Sequence, residues 1–429
     1  MSSLSSLSSS SASLCFSLLF AAAVVAMVIT KFWLAARQMR CVAAHRNAVP
    51  AQFASTITLS AHQHAASYTI ARTRFATVEV IVSTVVLIAL TLLGGVQALH
   101  HGIGGALGQG YLAQIALVVA VLAISGIIEL PLDYYQQFVL EQRFGFNRMS
   151  RGTFFVDRLK GVVIGAVLGI PLLFIVLWLM HRAGPLWWLW AWCVWVVFQL
   201  LVLVLYPAFI APLFNKFEPL NDDALRTRIE GLMQRCGFAA RGLFVMDGSR
   251  RSAHGNAYFT GFGAARRIVF FDTLLARLSG EEIEAVLAHE LGHFKRRHIV
   301  QRMIVTFAIS LALLALLGWL AQCPWFYEGL GVRPAPGGGN EGLALVLFFL
   351  AVPVFLFFVT PVSSLFSRRH EFEADAFAAT QVNAQYLVDA LVKLYEDNAS
   401  TLTPDPVYSA FYASHPNAAQ RIDHLLRHA

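Results

Sequence analysis

The chain has 429 residues, of which 57% are hydrophobic and only 13% charged, whereas a soluble globular chain carries roughly a quarter charged residues. With 33 Phe and 9 Trp it is also far too aromatic for a disordered one. These figures exclude a water-soluble multidomain protein and point to a polytopic membrane protein with a formal charge of +7.

Seven stretches are long and apolar enough to cross a bilayer, which needs roughly 20 helical residues: about 14–30, 78–99, 111–130, 161–180, 186–205, 303–322 and 342–366. The first follows a Ser-rich start. No Lys or Arg precedes Lys31, so it reads as an uncleaved span rather than a signal peptide. With the N-terminus outside, 30 of the 32 Lys and Arg residues fall on the inner side, and only Arg182 and Arg333 lie in outer loops. That distribution accounts for the basic charge without nucleic acid. The five cysteines are scattered with no CxxC pair, which indicates neither a disulfide framework nor a thiolate metal site.

Between the third and fourth spans, residues 131–160 are rich in aromatic and charged residues, and composition assigns them no role. Polar regions large enough to carry chemistry follow at 206–300 and 367–429. Within the first, residues 247–272 (DGSRRSAHGNAYFTGFGAARRIVFFD) combine alternation around 255–260, a Gly-containing turn and RRIVFFD, the pattern of a hairpin. A peptide could add to its free edge, with Asn256 holding a substrate carbonyl, although a plain structural hairpin has the same spacing.

Residues 279–300 read SGEEIEAVLAHELGHFKRRHIV. Ser279 and Glu282 form a capping box that starts a helix, and Ile283, Val286, Leu287 and Leu291 give it an apolar stripe. His289 and His293, at i and i+4, project from one face and can hold one metal ion, with Glu290 placed to take a proton from the attacking water. With 14 His and 14 Glu in the chain, chance would supply HExxH only about 0.015 times. His298 has no partner at metal spacing and reads as an interfacial residue or a support behind a ligand.

A catalytic zinc normally has three protein ligands and an open fourth position. Two spans after the HExxH helix, which go out and come back, residues 368–377 read RRHEFEADAF. Glu371 and Asp375 share a helical face, so Glu371 can be the third ligand while Asp375 hydrogen-bonds a ligand histidine. His370 stays as an alternative ligand, and Glu373 lies on the opposite side. In the tail, YASHPNAAQR supplies His415 and Arg421, residue types that stabilise an oxyanion.

The succession HELGH, SRRHEFEADAFA, SHPNAAQR resembles the Ste24-type CAAX prenyl proteases, integral-membrane zinc metallopeptidases of the M48 group. RSAHGNAYFTGF, YPAFIAPLFNKFEPL, YYQQFVLEQRFGFN and HQHAASYTIARTRF are similar to further segments of that family, so the resemblance covers almost the whole chain. It implies an all-α polytopic fold in which seven transmembrane helices enclose a chamber, with a gluzincin-like α+β metalloprotease domain on the cytoplasmic side. It further implies one zinc ion per chain on His289, His293 and Glu371, with Glu290 as general base. Asp375 would be the acidic partner of the ligand shell, His415 and Arg421 the transition-state stabilisers, and Asn256 part of the peptide-binding strand.

The expected organisation is a membrane region over 1–205, a protease domain over 206–300, spans six and seven over 301–366, and the remainder of the protease domain over 367–429. The expected partners are a peptide or protein substrate, prenylated or not, and the lipid bilayer. Arg outnumbers Lys 27 to 5, which suggests a GC-rich bacterial genome and an inner-membrane location. An HtpX-like quality-control protease without CAAX activity, a metal-dependent hydrolase of other bonds and a non-catalytic scaffold retaining the site are the competing readings.

Overall fold

A computed structural model describes residues 2–238, 242–260, 267–335 and 338–427. Seven helices in it are long and apolar enough to span a membrane: Ser11–His45, Leu59–Leu90, Tyr111–Glu141, Arg151–Arg182, Gly184–Phe214, His298–Leu320 and Glu341–Gln381. They correspond one to one with the expected spans, but most run well past the roughly 20 residues that a bilayer requires. The extra turns are built from polar sequence that hydropathy does not register. Thr58 and Ser150 cap the second and fourth spans, accepting from the backbone N–H of Ala61 (3.2 Å) and Thr153 (3.0 Å), far upstream of the apolar runs.

The second span also ends earlier than hydropathy suggests, at Leu90 rather than 99. Gly94 (φ 79°) turns the chain, and a Cβ on Gly95 would lie 2.6 Å from the Ala89 carbonyl oxygen, so the turn that ends the helix depends on this glycine pair. Residues Gly95–Leu107 form a separate helix instead. A cavity of about 1070 Å³ opens between the first, second, third and seventh spans, with Lys31, Glu79, Glu129 and Asp133 among its otherwise mainly apolar walls.

The polar regions build a four-stranded sheet and the helices packed on it. Strands β1 (Phe217–Pro219), β2 (Gly242–Met246), β3 (Ala257–Thr260) and β4 (Arg267–Phe271) are ordered β1-β2-β4-β3. β2 and β4 are parallel and the other pairs antiparallel. The expected hairpin is therefore present as β3 and β4, with Ala257 opposite Phe270. Residues 261–266, which join them, lie outside the described residues. β3 is an edge strand.

The helix Gly280–Lys295 starts at the expected capping box, with Ser279 Oγ accepting from Glu282 N–H (3.3 Å) and Glu282 Oε2 from Ser279 N–H (2.7 Å). Ile283, Leu287 and Leu291 are buried in the core beneath the sheet, together with Ile268 and Phe270 of β4 and Leu387 and Leu391 of the helix Ala384–Asp397. Arg297 ends this helix in the left-handed region (φ 58°), and the sixth span begins at the next residue. The seventh span bends at a short 3₁₀ turn, Phe357–Val359, and continues as the helix Thr360–Gln381. The HExxH helix and the Glu371 helix are thus each joined directly to a membrane crossing.

Candidate metal centre

His289 and His293 stand one turn apart, with their Nε2 atoms 3.3 Å from each other. Glu371 Oε2 lies 3.4 Å from His289 Nε2, and Glu371 Oε1 lies 3.4 Å from His293 Nε2. Glu371 is buried, and its Oε2 has no hydrogen-bond partner. A single proton cannot satisfy two imidazole nitrogens and a carboxylate that all point at one spot; a cation can. Ligand bonds of about 2.0–2.1 Å in a tetrahedron give ligand-to-ligand edges of about 3.3–3.4 Å. The two imidazole nitrogens, and the carboxylate that meets each of them through a different oxygen, have that spacing. Among the described residues these three form the one His, Cys, Asp and Glu cluster of that geometry. His370 is not in it.

The two helices can approach this closely because of Gly292, the fourth residue of HELGH. A Cβ there would lie 2.9 Å from Ala374 Cα and 3.0 Å from its carbonyl oxygen. Ala374 precedes Asp375, which is fully buried and accepts from His289 Nδ1 (2.8 Å). With Nδ1 donating, Nε2 of His289 is left as the acceptor that faces the centre. Asp375 also receives Arg421 as a fork, Nε to Oδ2 (2.9 Å) and Nη2 to Oδ1 (2.6 Å). Burial and the Arg421 charge lower the His289 pKa, but the hydrogen bond to Asp375 and the nearby Glu371 carboxylate outweigh them and raise it to about 9.

The second ligand candidate has its own support, from His298, which the sequence put at the interface or behind a ligand, and from Glu373, whose part sequence reasoning missed. His293 Nδ1 lies 3.0 Å from His298 Nδ1, and His298 Nε2 lies 3.1 Å from Glu373 Oε2. If His298 donates to Glu373, its Nδ1 accepts from His293, which again leaves Nε2 of His293 free for a metal. Arg369 Nε holds Glu373 Oε1 (3.1 Å), and His370 stacks on His298 with ring centroids 4.0 Å apart. His298, without a partner at metal spacing in the sequence, thus orients His293, and Glu373 anchors it.

Glu290, next to His289, is half-buried and makes no hydrogen bond or ion pair among the described residues. His415 approaches from the loop after the helix Pro406–Tyr412, its Nε2 3.5 Å from Glu371 Oε1 and its Nδ1 2.9 Å from Ser414 Oγ. The placement of this loop depends on residues that the sequence did not single out. Arg368 donates from Nη1 to the carbonyls of Ser409 and Ala413, both at 3.0 Å. At the other end of the short helix, Arg37 of the first span pairs with Asp405 (3.0 Å), which also caps it. Arg421 Nη1 lies 3.8 Å from Glu371 Oε2. Asn256 is exposed just before β3; its carbonyl accepts from Phe271 N–H (3.0 Å) and its Oδ1 from Ala257 N–H (2.8 Å). None of its hydrogen bonds reaches the histidines.

Two histidines on a helix joined to the sixth span and a glutamate on the continuation of the seventh, gathered around one point, define an integral-membrane metallopeptidase. Comparison with known proteins agrees. The family described as CAAX prenyl protease N-terminal, five membrane helices, matches residues 38–216, and peptidase family M48 matches residues 219–429. CAAX prenyl protease 1 of Saccharomyces cerevisiae is 38% identical over 316 residues, which are 71% of this chain and 70% of that one. A CAAX prenyl protease 1 homolog of Arabidopsis thaliana is 36% identical over 312 residues, 72% and 73% of the two chains. The crystal structure of S. mikatae Ste24p superposes with a TM-score of 0.88 over 96% of this chain and 99% of its own, at 30% identity. The chain belongs to the CAAX prenyl proteases of peptidase family M48, a family of zinc metallopeptidases. The relatives named here are eukaryotic and lend no support to a bacterial source.

Two predictions follow from the packing and the protonation. Gly292→Val should push the two helices apart and lower metal content at least tenfold by elemental analysis, with secondary structure by circular dichroism retained; full metal occupancy would contradict the close-contact account. Because Asp375 and Glu371 raise the pKa of His289 to about 9, a metal ion that binds its Nε2 must displace a proton. Apparent zinc affinity should therefore rise roughly tenfold per pH unit between about 6 and 8, and a flat profile in competition titrations would contradict the assigned protonation.

Proposed function

We propose that the chain cleaves membrane-presented polypeptides, prenylated C-terminal segments among them, with one zinc ion per chain held by His289, His293 and Glu371. The observation that carries this reading is the unpartnered Glu290 carboxylate beside the three-donor triangle. Two histidines and a carboxylate suit zinc, which when bound would polarise the scissile carbonyl and acidify the attacking water.

The remaining work falls to side chains. Glu290 takes the water's proton and delivers it to the leaving amine. His415, at the rim of the site, donates to the substrate carbonyl oxygen as negative charge develops there. Arg421 commits Nε and Nη2 to Asp375, so its Nη1 is what it can offer toward the same oxygen. Asp375 holds His289 in one tautomer and orientation through the reaction. The substrate lies along the free edge of β3, where the Asn256 Oδ1 is already engaged and its amide nitrogen can donate to a substrate carbonyl.

CAAX-type specificity is favoured over general quality control by the relatives' shared activity name and by the mainly apolar cavity between the spans, which is large enough to shelter a lipidated segment. The placement of basic residues supports an outer N-terminus and a site on the cytoplasmic side. The arginine-rich composition alone supports a bacterial inner membrane.

Glu290→Gln should keep the metal and lose about 10²–10⁴-fold in kcat on a farnesylated CAAX peptide, the range expected for a lost general base. Cleavage at the wild-type rate by this variant would exclude the mechanism. Equal cleavage of the same peptide without its farnesyl group by the wild type would instead favour quality control.

A further inference from the structure

The free edge of β3 presents a mechanical problem. If a substrate is to add there, that side must stay unpaired, so β4 alone holds the strand laterally. Firm placement has to come from the chain that leads into it, residues 251–256. That lead is gripped by the segment whose composition suggested no role, the end of the third span and the loop behind it.

The grip has backbone and side-chain parts. Arg148 N–H donates to Arg251 O and Ala253 N–H to Phe146 O, both at 3.2 Å, around an antiparallel bridge between Asn147 and Ser252. These contacts stop at Ala253, three residues before Asn256. Phe146, itself buried, stacks on the His254 ring with centroids 4.6 Å apart and planes at 20°. Tyr68 of the second span packs on Phe146 (4.9 Å), and its hydroxyl donates to Glu141 Oε1 (2.7 Å). Glu141 Oε2 lies 4.0 Å from His254 Nε2. On the far side, His254 Nδ1 meets Asn398 Oδ1 at 2.9 Å, and Thr273 donates to the His254 carbonyl (3.0 Å). Ala65, Tyr68, Leu140, Phe146 and Ala399 form a small hydrophobic core separate from the two large ones. Two membrane spans thus clamp a histidine two residues from Asn256.

We propose that Phe146, Tyr68 and Glu141 are positioning residues for the substrate-binding edge: by holding His254 they fix where Asn256 and β3 stand, and hence how tightly and in what register a peptide binds. This inference rests on the reading of β3 as the substrate edge given above.

The test uses the full-length protein in detergent and an unstructured fluorogenic peptide, with Phe146→Leu, the milder Tyr68→Phe, and Asn256→Ala as the control for the edge itself. Phe146→Leu and Tyr68→Phe should each raise KM roughly fivefold, the size of a lost aromatic stack or hydrogen bond, with kcat per bound metal within about twofold of wild type. Asn256→Ala should raise KM as well. A purely structural role would lower the active fraction and leave KM unchanged in both clamp variants, which would overturn the inference while Asn256→Ala still showed the edge to be in use. An unchanged KM in Asn256→Ala would remove the edge-strand reading, and the inference with it.

Discussion

Two imidazole nitrogens 3.3 Å apart each meet one oxygen of the buried Glu371 carboxylate at 3.4 Å, and all are aimed at one point. Without a cation this arrangement is unfavourable, because burial removes the water that would otherwise solvate the donors. The surrounding structure is organised to impose it. Gly292 allows two helices to touch, and Asp375 and His298 each engage the outer nitrogen of one histidine. Arg421 and Arg369 hold those supports in turn. The orientation that a metal requires of each imidazole is therefore fixed by the groups behind it, and a metal has only to displace the proton on His289.

The same helices explain why a protease is built into a membrane protein. The HExxH helix passes through the left-handed Arg297 into the sixth span, and the seventh span returns as the helix that carries Glu371. A membrane hairpin is thus the connection between the two histidines and Glu371. The first span joins in through Arg37, whose pair with Asp405 helps to place the loop of His415. The second and third reach the sheet through Tyr68, Glu141 and Phe146. Packing of the crossings bears on the site at several separate points.

What could be read in the sequence was what short-range spacing controls. The capping box at Ser279, the i and i+4 histidines, and Glu371 with Asp375 on one face all follow from a 3.6-residue repeat, and all stand as expected. The number of spans was legible because an apolar run of that length has few alternatives in water. Their ends were not, since Thr58 and Ser150 begin helices in polar sequence, and Gly94 with Gly95 stops one inside an apolar run. Contacts across long separations left no local signature. His298 meets Glu373 75 residues away, and Arg368 closes a helix more than 40 residues downstream. The loop at 141–148 falls almost wholly within YYQQFVLEQRFGFN, a segment that resembles the family but carries no role legible in the sequence, because its part in holding His254 depends on a stack that only the fold creates.

The account stands or falls on the coordination of the bound metal. X-ray absorption spectroscopy at the zinc edge, on purified full-length protein, measures that directly. The expected spectrum is a first shell of nitrogen and oxygen only, at about 2.0–2.1 Å, with the outer-shell scattering of two imidazoles and no sulfur. A sulfur contribution near about 2.3 Å, or scattering from three or more imidazoles, would place the metal on other residues and contradict the centre described here.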